Sequence, residues 1–166
     1  DVEAIQMMPA QPDFTLISYD PQGAIDIDGF RTDEIIIDLR DDPDTEDYYG
    51  FRVTNNPEEQ FIHDYYLQSP DPLLKDAIGY GLVLSDQSFN GSTYRARIQA
   101  DNYNEEPMPA LEVFHITEDA YRYAVSRLAY EDSVDNPFAE PVNVHNNMEN
   151  GYGYFLLSNG LKVVLE

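Results

Sequence analysis

Apolar and polar residues alternate in short runs along most of this chain, and one late stretch switches to a helical period. Phe14 to Tyr19 reads as a strand, followed by a turn at Pro21-Gln22-Gly23 and a short strand, Ala24 to Ile27, ending at Asp28-Gly29. Glu34 to Leu39 (EIIIDL) is a β-branched strand run. The acidic loop RDDPDTED, Arg40 to Asp47, separates it from the strand Tyr48 to Thr54, and the simplest pairing is antiparallel across that loop. Asn55 to Glu59 is a turn, and Phe61, His63, Tyr65 and Leu67 alternate as in a strand. Asp71-Pro72 opens a single helical turn within Pro70 to Asp76. Gly79 to Asp86 and Thr93 to Ala100 flank Phe89-Asn90-Gly91 and read as a hairpin. In its second arm Tyr94, Ala96, Ile98 and Ala100 face one way, and Arg95, Arg97 and Gln99 the other.

Leu111 to Ile116 is the next strand, and Thr117 then caps a helix with Glu118 and Asp119 in its first turn, where the helix dipole favours anions. Tyr121, Ala124, Val125 and Leu128 fall on one face, and the helix fades by Asp135, before Asn136-Pro137. Gly151 to Ser158 and Leu161 to Leu165 form a closing hairpin through Asn159-Gly160. Eight or more strands with one late helix predict a mainly β fold. The expected architecture is an antiparallel immunoglobulin-like or fibronectin-III-like sandwich with one inserted α-helix, about Thr117 to Asp135, in a single domain over residues 1–166.

Composition fits a packed β domain: 42% of the 166 residues are hydrophobic, with 13 Tyr, 8 Phe and no Trp. The formal charge is −23, which repels phosphate backbones and anionic membrane faces, so nucleic acid is excluded as a partner. Cysteine is absent, which removes disulfides and thiolate metal sites. No apolar run reaches bilayer length, and Asp1 to Pro12 does not read as a signal peptide, so the opening reads as that of a mature or truncated segment.

Candidate chemistry is sparse. Asp41, Asp42, Asp44, Glu46 and Asp47 are hard oxygen donors on one short loop, a composition suited to Ca²⁺, but their spacing is not that of an EF-hand. The plain alternative is a solvated loop; Asp26 and Asp28 join a cation site only if the fold brings them near. His63, His115 and His145 lie far apart without paired metal-ligand spacing and read as structural. No nucleophile elbow is present, and Ser126 reads as a residue of an exposed helix face. Carboxylate pairs suited to glycoside hydrolysis arise by chance among 32 acids. Tyr48-Tyr49 and Tyr65-Tyr66 each place one ring in the core and one outside, as a sandwich does without binding a sugar. No catalytic, cofactor or metal residues are assigned, and the chain reads as a non-enzyme.

Three segments occur in a distinctive order: LSDQSFNG (Leu84 to Gly91), EVFHITEDAYRYAVSRL (Glu112 to Leu128) and NPFAEPVNVHNNMENGYGYF (Asn136 to Phe155). With DDPDTEDYYGFRV (Asp41 to Val53), they make the chain resemble a family of Bacteroidota surface lipoproteins known as domain of unknown function 4249. The likeness is weak before Glu34, and His145 and Met148 depart from it. Members usually begin with a lipidation Cys and an immunoglobulin-like half, neither of which this sequence contains. The resemblance therefore implies the C-terminal part of a longer lipoprotein, with residues 1–33 a linker or the end of a preceding domain. It implies a lipid anchor, the extracellular face of the outer membrane and a partner of the TonB-dependent receptor type. It supplies no catalytic residue.

The expected function is a non-catalytic accessory or binding module of an outer-membrane transport or assembly complex. Its expected contacts are Asp41, Asp42, Asp44, Phe138 and Val144, with the loop Asp101 to Met108 as a further region. Packing over a sheet edge is the expected role of NPFAEP itself. The alternatives are a secreted hydrolase of glycans or peptides and a Ca²⁺-stiffened adhesion or spacer domain.

Overall fold

A computed structural model describes residues 6–26, 28–54, 65–77, 81–101, 109–134, 138 and 140–166. Among these, the strands are β1 (Asp13–Ile25), β2 (Arg31–Arg40), β3 (Tyr48–Thr54), β4 (Leu67–Gln68), β5 (Lys75–Ala77), β6 (Gly81–Ser85), β7 (Thr93–Ala100), β8 (Ala110–Ile116) and β9 (Ser158–Val164). One α-helix, α1 (Glu118–Val134), lies between β8 and β9. The strands form a four-stranded sheet, β1-β2-β7-β4, and a five-stranded sheet, β5-β6-β3-β8-β9, with every pairing antiparallel.

The two sheets enclose one core, in which Ile35, Ile37 and Leu39 of β2 meet Tyr49, Phe51 and Val53 of β3, all fully buried. Ala96 stands opposite Ile37 and Ile98 opposite Ile35, so large and small side chains share the space across the β2–β7 ladder. Burying each large aliphatic or aromatic side chain contributes roughly 1.5–3 kcal/mol. The outer face of β7 carries Arg95 and Arg97, as the alternation predicts; Arg95 pairs with Asp38 at 2.7 Å and Arg97 with Glu34 at 3.5 Å.

The outer face of the larger sheet is covered by α1, giving three layers, β/β/α. Thr117 caps the helix by accepting at Oγ1 from the Ala120 N–H. Ala120 and Ala124 are buried, and Tyr121 and Val125 pack beside them on Tyr48, Val83 and Ile116. Tyr48 is therefore buried under the helix, 5.0 Å from the ring of Tyr121, and not outside as the strand alternation alone predicts.

Several expected pairings change. β2 and β3 do not pair, because the loop between them crosses from one sheet to the other. β6 and β7 are likewise in different sheets, and the Asn-Gly segment between them is a second crossover that begins in a 3₁₀ turn, Asp86–Ser88. Alternation specifies which face of a strand is buried, and stacked sheets offer two partners for that face. Pro21-Gln22-Gly23 is a bulge inside β1 and not a turn between two strands. Gln22 takes a φ of 59° there, held by its N–H donating to Asp33 Oδ1 and its carbonyl accepting from Arg31 Nη1. Pro70 to Asp76 forms turns leading into β5, not a helical turn. The expected closing hairpin is absent: Asn159-Gly160 lies within β9, which pairs along all of β8, and most of Gly151 to Leu157 is irregular.

Phe61 to His63, Asn55 to Glu59, Asp135 to Pro137 and the loop residues 102–108 lie outside the described residues. No helix among the described residues is long and apolar enough to cross a membrane.

Candidate functional site

The two crossovers meet at one end of the sandwich. Asp41 follows the last residue of β2, Asp47 precedes β3, and Asp86 follows β6, so three acids at strand ends converge. One carboxylate oxygen from each lies within 4.8 Å of those of the other two. At an effective dielectric of about 20, two charges at that separation repel by about 3 kcal/mol. No Lys or Arg lies within ion-pair distance of the three among the described residues; Arg40, the nearest base in sequence, turns to Asp13 at 3.2 Å.

Each acid also holds the chain in place. Asp41 Oδ1 accepts from the Tyr49 hydroxyl at 2.6 Å, and its Oδ2 accepts from the Gly91 N–H at 2.7 Å. Gly91 has a φ of 72°, and a Cβ there would sit 2.8 Å from Pro43 Cβ, so a side chain is excluded twice over. Asp47 Oδ2 accepts from Thr45 Oγ1. Asp86 is 1% exposed; its Oδ2 accepts from the Asp47 N–H, while its Oδ1 is buried with no hydrogen-bond partner. Burial pushes the Asp86 carboxyl above its usual range, and the charges of Asp41, Asp47 and Glu46 add to the rise. Burial also raises the Tyr49 hydroxyl far above its ordinary value, reinforced by the hydrogen bond to Asp41.

Beside the cluster lies an open groove of about 670 Å³, lined by Asp41, Asp42, Glu46, Asp47, His115 and Glu118, with Met7 and Met8 exposed at its rim. Residues 7–11 form one wall. Gln6 bonds Asp119 and Thr117, and the Pro9 carbonyl accepts from Asn159 Nδ2. His115 is buried beneath this wall, its ring centroid 4.5 Å from that of Tyr49, with Nδ1 3.0 Å from the Ala10 carbonyl. An acceptor at Nδ1 places the ring proton there, so Nε2, buried without a partner, is a lone pair. Burial holds His115 below its usual pKa, against the opposing charges of Asp47 and Asp41.

The sequence-predicted contact residues do not share one site. Asp41 and Asp42 line the groove, and Asp44 stands exposed on the same loop, its N–H donating to Asp42 Oδ1. Phe138 follows the far end of α1, roughly 25 Å away along a helix of 17 residues. Its ring is 95% exposed, so it does not cover a sheet edge. Val144 is half-buried in a segment that runs back along α1. Asp26 and Asp28 do not approach the cluster. They sit in the β1–β2 turn at the opposite end of β2, where Asp26 Oδ1 accepts from the Asp28 and Phe30 N–H groups. Asp86 was not singled out in the acidic loop's neighbourhood by sequence; the available signal was an Asp ending an apolar strand just before an Asn-Gly turn.

Ser126, His145 and Asp119 supply the residue types of a hydrolase triad and lie together on α1 and its return segment. Their geometry is different from a triad's. Ser126 Oγ donates to the Tyr123 carbonyl and accepts from the backbone N–H of His145, while the His145 ring meets Asp119 at 2.7 Å through Nε2. The serine proton therefore does not point at the imidazole. Ser126 is a docking point for the return segment, not the residue of an exposed helix face.

No curated protein and no solved structure matches the chain. One family model matches residues 2–162, which includes the stretch before Glu34. The chain belongs to the family described as a domain of unknown function, DUF4249.

Proposed function

We propose that this domain is a non-catalytic binding module of a Bacteroidota surface lipoprotein, acting beside an outer-membrane barrel of the TonB-dependent receptor type. The observation that supports it best is the groove at the crossover end. Of its exposed acids, Asp13 is paired with Arg40 and Glu118 with Arg122, while Asp42 and Glu46 have no ion-pair partner among the described residues. Such a surface attracts a basic or cation-carrying partner and speeds its association. The acids beneath are engaged in holding loops, and Asp86 is too buried to reach a substrate, which favours binding over hydrolysis. Phe138, 95% exposed beyond the last turn of α1, and Tyr152, 104% exposed in the segment after Asn147, offer two separate apolar anchors.

The test is affinity isolation of the tagged full-length protein from native outer membranes. An outer-membrane barrel should co-purify with the wild type, at reduced yield with the Asp42→Lys/Asp44→Lys variant and with Phe138→Ala. Recovery of the protein alone, under conditions that preserve other envelope complexes, would remove the reading.

A further inference from the structure

We propose that Asp41, Asp47 and Asp86 form a Ca²⁺ site that staples the two sheet crossovers together. The inference stands independently of any protein partner. Three observations carry it. The donor oxygens lie within 4.8 Å of one another, which matches one ion with oxygen ligands at about 2.3–2.6 Å on several sides. No protein cation balances the three charges among the described residues. Asp86 contributes a carboxylate oxygen to the cluster and is only 1% exposed, yet its Oδ1 has no hydrogen-bond donor.

The last point separates this cluster from an ordinary acidic loop. A buried carboxylate oxygen normally finds a donor, and an orphan costs stability unless a bound group meets it. A partner's Lys or Arg is too bulky to reach a side chain that is 1% exposed. The groove, whose lining includes Asp41 and Asp47 in front of Asp86, gives a small hard cation an approach from their side. An all-carboxylate set selects Ca²⁺ over Zn²⁺, which prefers nitrogen and sulfur donors. Oxygens committed to hydrogen bonds with Tyr49, Gly91 and Thr45 keep a second lone pair for the ion. Water on the groove side completes the coordination.

The geometry gives the ion a role. Asp41 and Asp47 bound the β2–β3 crossover, and Asp86 starts the β6–β7 crossover. An ion shared by all three ties both loops to the ends of both sheets and sets the shape of the groove wall. An affinity of about 10⁻⁴–10⁻³ M, typical of extracellular modules, is expected.

The experiment is thermal unfolding of the whole chain, stripped with chelator and titrated with CaCl₂, against KCl at matched ionic strength. Isothermal calorimetry runs in parallel. Wild type should gain about 3–6 °C at ten times the dissociation constant and go on rising with the logarithm of the Ca²⁺ concentration, while the calorimetric heat saturates. Asp86→Asn and Asp47→Asn should both fold, by circular dichroism, and lose the gain. Asp42→Asn/Asp44→Asn should keep it, because those acids lie outside the cluster. Absence of heat and of any shift beyond KCl in wild type overturns the proposal. So does a shift that survives in both Asp86→Asn and Asp47→Asn, or one that disappears in Asp42→Asn/Asp44→Asn.

Discussion

Asp47 and Asp86 grip each other twice. The Asp86 N–H donates to the Asp47 carbonyl at 3.1 Å, and the Asp47 N–H donates to Asp86 Oδ2 at 2.8 Å. This reciprocal pair joins the start of β3 to the end of β6, two strands already neighbours in the larger sheet. It extends their ladder past the last regular pair, Tyr48 with Ser85, and closes it with a side chain.

Asp86→Ala and Asp86→Asn separate the acceptor from the charge. The alanine leaves the Asp47 N–H without its partner, at a cost of about 1–3 kcal/mol. The asparagine keeps an acceptor for it, removes one of three clustered charges and brings an amide donor towards Asp41 and Asp47. In chelator, urea unfolding should therefore place Asp86→Asn at or above wild-type stability and Asp86→Ala clearly below it. Equal losses in the two variants would show that the charge itself holds the junction.

Tyr49 is fully buried, and its hydroxyl donates to Asp41 Oδ1 at 2.6 Å. Tyr49→Phe keeps the ring and deletes a hydrogen bond to a charged acceptor, so a loss of about 1.5–3 kcal/mol is expected by denaturant unfolding. The alkaline limb tests the same contact. Burial and hydrogen bonds to carboxylates raise the Tyr19, Tyr48, Tyr49 and Tyr94 hydroxyls well above their ordinary value. A raised folded value means that the folded state holds protons the unfolded state releases. Stability is then full below about pH 10 and falls as pH rises beyond it. Ultraviolet titration should show these phenols ionising together with unfolding. Four phenols ionising reversibly near pH 10 in the folded protein would contradict the hydrogen bonds.

Strand faces were legible in this sequence; strand partners were not. Tyr94, Ala96, Ile98 and Ala100 turn to the core as their spacing predicts, and β3 and α1 begin where the residue types place them. The two mispaired loops share one cause. Neighbouring strands were paired across the shortest loop, but residues 41–47 and 86–92 each carry the chain from sheet to sheet, about 10 Å apart. The candidate cluster was half visible for the same reason. Asp41 and Asp47 stand in an evident acidic run, whereas Asp86 joins them only because both crossovers meet at one end. Pro21-Gln22-Gly23 carries genuine turn chemistry that the fold spends on a bulge, since buried Asp33 supplies the acceptor that Gln22 needs.

Glu112 sits between Arg52 of β3 and Lys162 of β9, with Arg52 Nε at 3.1 Å and Lys162 Nζ at 2.9 Å. Burial alone would raise its carboxyl, but the hydrogen bonds from Lys162 and Arg52 outweigh it and hold the group below its usual value. A depressed folded value gives stability that is full above the unfolded carboxyl range and lost as pH falls through the folded one. Glu112→Gln should lose about 1–2 kcal/mol at neutral pH, between a surface and a buried pair, because Glu112 is 14% exposed and its partners 33% and 28%. The gap to wild type should be constant above about pH 6 and close below about pH 4. A gap independent of pH would mean that packing, not charge, is lost.

Gly160 lies under the ring of Phe114 in the β8–β9 ladder. A Cβ at Gly160 would stand 2.5 Å from Phe114 Cδ1 and 3.0 Å from the Val113 carbonyl oxygen. The glycine is thus set by what crosses it, since an aromatic ring lying over a strand glycine fills the place of the missing side chain. Arg52 lies over the other part of this arrangement, 5.6 Å from the ring centroid, so the ring is held from a second strand. Gly160→Ala should force the ring or the edge strand to move, costing about 1–3 kcal/mol. The loss should localise to β9, seen as faster amide hydrogen exchange at residues 158–164 with the β3–β8 pairs still protected. Phe114→Leu trims the ring, so Gly160→Ala should cost less in that background, and a double-mutant cycle should return a coupling of about 0.5 kcal/mol or more. Additive losses would place the strain in the backbone of β9 and not in the ring.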